Sequence, residues 1–133
     1  MSDHVSLKRV HLSTVVTSSF TVNTKLSPKL LEAAEGFWRE RGVDTFQTRS
    51  DDLNAGDGQP LHADMHGQGG SLWSIFFEKY RKKVDIFFTG ISGMTYVELK
   101  IELPGAFAVA SDDIKKANDM LESFEKHLQA NAI

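Results

Sequence analysis

Alternating apolar and polar residues predict β-strands in several parts of the chain. A long strand is predicted over residues 10–24 and a short one over residues 43–48. The clearest alternation lies between Tyr96 and Leu103, where every second residue is Val, Leu or Ile and the residues between them are Tyr, Glu or Lys. We therefore expect an antiparallel strand there, with one buried face and one wet face.

Apolar residues that recur at intervals of three and four predict two helices. The first covers residues 28–41, with Ser27 as its N-cap and with Gly42 placed to end it in a left-handed conformation. The second covers residues 111–129 and starts with Ser111, an N-cap that acidic residues follow in the first turn. Both helices are expected to lay one apolar stripe on a sheet.

Between these elements the pattern changes twice. Residues 50–70 lose all periodicity and are predicted to form a long glycine-rich loop, with the flexibility that such a composition allows. Residues 71–80 fit both a strand and a helix, and we prefer the strand. Residues 84–89 predict another strand, and the turn residues 90–93 can fold the chain back into the strand that follows.

The order of elements predicts the fold class. One strand, a helix, a strand, the loop, three strands and a final helix do not alternate in the way that a parallel sheet requires. We expect one α+β domain over residues 1–133, with a mainly antiparallel sheet of about five strands and two helices packed on one face.

Composition narrows the possible functions. Apolar residues at 41% and charged residues at 25% are ordinary globular values, and the net charge of −3 disfavours nucleic acid as a partner. The absence of cysteine excludes thiolate nucleophiles and sulfur-ligated metals. No apolar run is long enough to span a bilayer and the N-terminus has no signal-peptide pattern, so we expect a cytoplasmic protein.

One segment carries the types of residue that bind metal ions. In an extended segment His62, Asp64 and His66 would face the same side, and imidazole and carboxylate groups suit a divalent metal such as zinc or manganese. Glu98 would complete the shell of a metal-dependent enzyme. The alternative is a solvated loop without a cofactor.

A basic run and an aromatic set are the candidate contact surfaces. An anionic partner would meet the basic run Lys79, Arg81, Lys82 and Lys83, although charges that keep a sheet edge soluble explain the run equally. A ligand or protein partner would meet the aromatic residues Trp38, Trp73, Phe76, Tyr80 and Phe107. Phe87 alternates with Ile86 and Phe88, so we expect this strand to be covered on both faces, by helices or by a second subunit.

Three functions fit these features, and binding is favoured over catalysis. The first is an adaptor that forms a homodimer or holds a protein segment on an apolar sheet face or groove. The second is a carrier of a small apolar molecule in a hydrophobic pocket. The hairpin strands, the Pro104-Gly105 break and the long terminal helix resemble in outline the helix-grip proteins of the START-like class over residues 71–132, and the resemblance implies such a carrier. The third is the metal-dependent enzyme.

Overall fold

The computed structural model describes residues 2–10, 13–53, 59–69, 83–104 and 111–131. These residues contain six strands and two helices. In chain order they are β1 (Ser2–Val10), β2 (Ser13–Val22), α1 (Pro28–Arg39), β3 (Thr45–Ser50), β4 (Leu61–Gln68), β5 (Lys83–Ile91), β6 (Met94–Pro104) and α2 (Ser111–Ala130). The strand predicted over residues 71–80 lies outside the described residues.

The six strands form one antiparallel sheet in the order β1-β2-β6-β5-β4-β3. The predicted α+β class, with an antiparallel sheet and two helices, is therefore confirmed, with six strands rather than about five. The chain from β2 to β3 crosses the sheet through α1, so that β1 and β3 become its two edges. β2, β6, β5 and β4 have a partner strand on each side.

Both helices lie against the same face of the sheet, which we call the inner face. Phe124 of α2 contacts Phe20 of β2, and Leu26, just before α1, packs against Gly90 of β5. Alternation along the strands places apolar side chains on this face. The inner face is formed by the buried residues Val16, Phe20, Val22, Ala63, Met65, Val84, Ile86, Phe88, Val97, Leu99 and Ile101.

The first helix begins and ends where the local sequence predicts. The Ser27 side chain accepts a hydrogen bond from the Leu30 backbone N–H at 3.3 Å, and Pro28 stands at the first helical position. Gly42 has a φ of 92°, the left-handed conformation expected after a helix. The helix itself ends at Arg39, two residues before the predicted end.

The hairpin between β5 and β6 has the predicted position and a two-residue turn. Ile91 pairs with Met94, and Ser92 and Gly93 between them have φ values of 53° and 79°. Two consecutive positive φ angles suit the right-handed twist of the flanking strands.

The prediction of a loop over residues 50–70 is wrong for its second half, since Leu61–Gln68 form β4. The buried positions of this strand are occupied by Ala63, Met65 and Gly67, which carry little of the usual β-branched signal. Gly67 has no side chain of its own, and the ring of Phe46 on β3 covers it. A Cβ atom at Gly67 would lie only 2.6 Å from the ring of Phe46, its partner on β3.

The long strand predicted over residues 10–24 is also corrected. The chain forms two strands there, because β1 ends at Val10, β2 starts at Ser13 and the two pair with each other in antiparallel. In the residues before Val10 only Val5 and Leu7 show apolar alternation, which is too short to stand out. Among the described strands, β1 stands at the edge and pairs with β2 alone.

Neither helix in the described part of the chain has the length and apolar character needed to cross a membrane.

Candidate functional site

The interior between the helices and the inner face is built around Trp38. This residue of α1 is fully buried, and its ring lies 5.1 Å from that of Phe37 and 5.5 Å from that of Phe124 on α2. The indole Nε1 of Trp38 is buried and has no hydrogen-bond partner among the described residues. The sequence singled out Trp38 as a binding residue, and the structure places it in the aromatic centre of the molecule.

The C-terminal half of α2 is tied firmly to its surroundings. The Phe124 ring lies 5.9 Å from that of Phe20, and Gln129 Nε2 donates a hydrogen bond to the Thr21 carbonyl oxygen at 2.7 Å. The ring of His127 lies 5.4 Å from that of Phe37 on α1. These contacts fix the end of the helix against both β2 and α1.

The described side chains at positions 118 and 120 of α2 are covered less completely. From Leu121 onward the side chains on its inward stripe are buried, whereas those of Asn118 and Met120 are only partly buried. Met120 still packs against the apolar core, and Asn118 Oδ1 is a buried atom without a hydrogen-bond partner in the described residues. Among the described side chains on the inward stripe of α2, burial therefore decreases from Leu121 toward Asn118.

The predicted metal ligands lie together on the opposite, outer face of the sheet. β4 is extended, so His62, Asp64 and His66 do point to the same side. The two histidines contact aspartate carboxylates through their ring nitrogens, whereas in a metal site those nitrogens would point at the ion. His66 Nδ1 lies 2.7 Å from Asp85 Oδ1, and His66 Nε2 lies 3.1 Å from Asp64 Oδ1. Since the two ring nitrogens point away from each other, the two carboxylates cannot meet at one ion beside the ring.

His62 takes part in a separate contact. Its Nδ1 lies 3.4 Å from Asp51 Oδ2, and its backbone N–H donates to the same oxygen at 2.9 Å. Asp51 in turn donates its backbone N–H to the His62 carbonyl oxygen at 2.8 Å, so this pair fixes the chain after β3. Glu98 is also remote, because Phe87 lies between it and Asp64 in the cross-strand row. Across the described residues, no group of three or more His, Asp or Glu side chains is arranged to hold a metal ion.

An apolar strip lies on the same outer face, opposite the two described helices. Its members are large side chains with exposed fractions of 45%, 53%, 43% and 41%, namely Phe87, Ile91, Met94 and Tyr96. They follow the β5–β6 hairpin, and we call them the outer strip. In the described residues the helices cover only the inner face of β5, and the expected cover of its outer face by a second subunit stays a prediction.

Several predicted contact residues lie outside the described residues: Lys79, Arg81, Lys82, Trp73, Phe76, Tyr80 and Phe107. Lys83 is exposed at the start of β5, opposite Glu102 on β6, and is therefore not isolated from negative charge.

Sequence reasoning missed two features of the site. Asn118 lies three residues before Leu121, a spacing that places it beside the apolar stripe of α2 and that could have drawn attention to it. Tyr96 and Phe87 both stand at wet positions of their strands, which is the signal for an exposed apolar surface.

Comparison with known proteins gives a structural likeness only. No protein-family model and no curated protein matches the chain. Solved structures do match, among them the crystal structure of Ara h 8.0201, with a TM-score of 0.48 and 7% sequence identity over 90% of this chain and 97% of that chain.

Proposed function

We propose that this domain binds a small apolar molecule between the N-terminal half of α2 and the inner face of the sheet. The observation that carries the proposal is the change in burial along α2, from fully buried side chains after Leu121 to partly buried ones at Asn118 and Met120. A ligand at this place would meet an apolar lining with few polar groups, which is the usual composition of small-molecule sites.

The surrounding contacts support the same location. Phe124 and Gln129 fix the far end of α2 against β2, and the proposed site lies toward the other end of the helix. Met120 and Met65 belong to or border the core, and the flexible thioether side chain adapts to occupants of different shape. No covalent chemistry is part of this proposal, since binding alone accounts for the arrangement.

Calorimetric titration with a naphthalene derivative tests the proposal. We expect saturable binding of one molecule per chain, and Met120→Trp, which adds bulk on the inward side of α2, should weaken it by about tenfold or more. The control is Glu122→Trp, which places the same side chain at an exposed position two residues away. Equal affinities of both variants and the wild type would contradict the proposed location.

We propose self-association through the outer strip as a second function, favoured by four large apolar side chains at 41–53% exposure. Glu98 and Lys100 lie beside the strip on β6, so a two-fold related copy can set each against a charge of opposite sign. Such self-complementarity points to a second copy of this chain as the occupant.

Sedimentation equilibrium tests this second function. Wild-type protein should dimerise with increasing concentration, and Phe87→Ser combined with Tyr96→Ser should remain monomeric. Gln47→Ser, an exposed change on β3 away from the strip, should leave the dimer unchanged. A wild-type protein that stays monomeric at high concentration would exclude the dimer.

A further inference from the structure

The outer face of the β5–β6 hairpin is divided along its length. The outer strip occupies the half near the turn. The half near the base carries two cross-strand rows in which opposite charges stand against each other, Lys83 with Glu102 and Asp85 with Lys100. Apolar side chains therefore lie at one end of this surface and paired charges at the other.

The outer strip is too small to form a standard interface by itself. Its four side chains, at 41–53% exposure, offer roughly 100 Å² of accessible surface each and about 400 Å² together. A stable protein interface buries about 800 Å² on each partner. A dimer that uses the strip must therefore bury neighbouring surface as well, and the charged rows continue the strip on the same two strands.

A two-fold axis parallel to the strands, midway between β5 and β6, has a fixed consequence for these rows. Rotation about this axis keeps each residue at its height along the strands and places β5 of one copy on β6 of the other. Each residue then faces the cross-strand partner that it has in its own sheet. Ile91 meets Met94 of the other copy, and Lys83 meets Glu102, because the register within one sheet becomes the register between the two sheets.

The neighbouring strands fit the same arrangement. β4 would lie on β2 of the other copy, which sets His66 against Thr17 and Asp64 against Ser19. In the described rows of β2, β6, β5 and β4, no charged residue therefore faces one of the same sign.

The row of Phe87 and Glu98 lies between the apolar and the charged half. Glu98 faces Phe87 of the other copy, and Lys100 of that copy stands at the diagonal position. Diagonal neighbours remain within reach of long side chains. This row thus adds a carboxylate near a lysine rather than a charge conflict.

A two-fold axis perpendicular to the strands gives a different interface. An axis through the row of Thr89 and Tyr96 would stack the strip on itself, with Phe87 on Ile91 of the other copy. The row of Lys83 would then extend past the turn of the other copy and meet no counterpart there. The two orientations therefore differ in whether the charged rows contribute to association.

We propose that two copies pack face to face through their β5–β6 hairpins about the axis parallel to the strands, with Asp85 on Lys100 and Lys83 on Glu102 of the other copy. This inference rests on the proposed self-association and names the orientation and the charge contacts of the dimer. Packed sheets lie about 10 Å apart with their strands within about 30° of each other, a gap that side chains from both faces fill. The alternation of sign favours a second copy as the occupant, because a different partner would have to repeat it.

Charge reversal in one row tests the arrangement by sedimentation equilibrium. Lys83→Glu gives a chain with two negative charges in this row, and Glu102→Lys gives a chain with two positive charges. Either variant alone would oppose like charges at two symmetry-related contacts, so we expect its dimer affinity to fall by about tenfold or more. An equimolar mixture should form a heterodimer with an affinity within about threefold of the wild-type value.

The mixture separates contacts between chains from effects within one chain. Each variant keeps its own like-charge pair across β5 and β6 in the mixture, so regained association comes from the partner alone. The double variant Lys83→Glu with Glu102→Lys restores the cross-strand pair and should dimerise as the wild type does. Matched controls are Lys115→Glu and Glu122→Lys, exposed positions on α2 with the same changes in net charge, which should leave the dimer unchanged.

The outcomes distinguish the orientation from the function on which it rests. A wild type that stays monomeric at high concentration removes the self-association itself. If the wild type dimerises and both single reversals leave its affinity unchanged, the charged rows lie outside the interface and the parallel axis is wrong. A mixture that associates no better than the single variants would also overturn the parallel axis.

Discussion

The two faces of β5 differ in burial, although their residues alternate along one short strand. Residues 84, 86, 88 and 90 are buried under the helices, and the alternate residues 85, 87, 89 and 91 face outward with partial or full exposure. Phe88 and Phe87 are neighbours with the same side chain, yet one is 1% exposed and the other 45%. The inner face therefore contributes the buried core, whereas the outer face carries Phe87 and Ile91 as exposed apolar side chains.

The largest expected effect comes from Phe88→Ala compared with Phe87→Ala. Removal of the buried Phe88 ring leaves a cavity in the core and should lower the free energy of unfolding by about 3–5 kcal/mol. The Phe87 variant should lose less than about 1 kcal/mol, because its ring is half exposed already. Urea denaturation of both variants measures the difference, and equal losses would contradict the assignment of the two faces.

A second comparison uses two glycines, Gly67, where an added Cβ atom would collide with a neighbour, and Gly36, where it would meet none. In Gly67→Ala the new methyl group would lie 2.6 Å from the Phe46 ring and 2.7 Å from Val43, so we expect destabilisation by about 1–3 kcal/mol. Gly36→Ala in α1 meets no atom within 4 Å and should stabilise the helix by about 0.5–1 kcal/mol. The opposite signs are checked by thermal unfolding, and a tolerated Gly67→Ala would show that Phe46 does not cover this position.

Two threonines, Thr95 on the inner face and Thr89 on the outer face, compare the two faces through the loss of one hydroxyl group. Thr95 is buried on the inner side of β6, and its hydroxyl donates to the Thr24 carbonyl oxygen at 2.8 Å. Thr95→Val leaves that carbonyl without its donor and should cost about 1–2 kcal/mol. Thr89→Val, on the outer side of β5, should stay within about 0.5 kcal/mol. Chemical denaturation decides, and similar losses in both would mean that the Thr95 bond contributes nothing.

The smallest effect is expected for the ionic cluster of the outer face. His66→Ala removes contacts to Asp64 and Asp85, but all three side chains are 28–37% exposed, so the loss should be below about 1 kcal/mol. The remaining difference should shrink further in 1 M NaCl, where surface charges are screened. A loss of several kcal/mol would show that this cluster stabilises the fold as the inner face does.

Local signals explain which elements could be predicted. α1 combines a serine cap, a proline at its first position and a regular apolar stripe, and β6 has strict alternation. β4 lacked a signal, because its buried Gly67 has no side chain and receives cover from Phe46 across the strand pair. That contact depends on pairing with β3, which no local pattern contains.

The candidate site was predictable only in part. Trp38 stood out as a large aromatic residue, but the lack of a partner for its Nε1 depends on which side chains α2 and the sheet bring near it. The cluster His62, Asp64 and His66 was found from its spacing. Its pairing with Asp51 and Asp85, from other parts of the chain, was not visible in the segment itself.

Ligand binding beneath α2 is best tested by calorimetric titration of 2-acetylnaphthalene into the wild type, Met120→Trp and Glu122→Trp. We expect saturable binding of one molecule to the wild type and to the exposed control Glu122→Trp, and an affinity reduced by about tenfold or more in Met120→Trp. Absence of saturable binding to the wild type, or equal binding to all three proteins, would contradict a ligand site beneath the N-terminal half of α2.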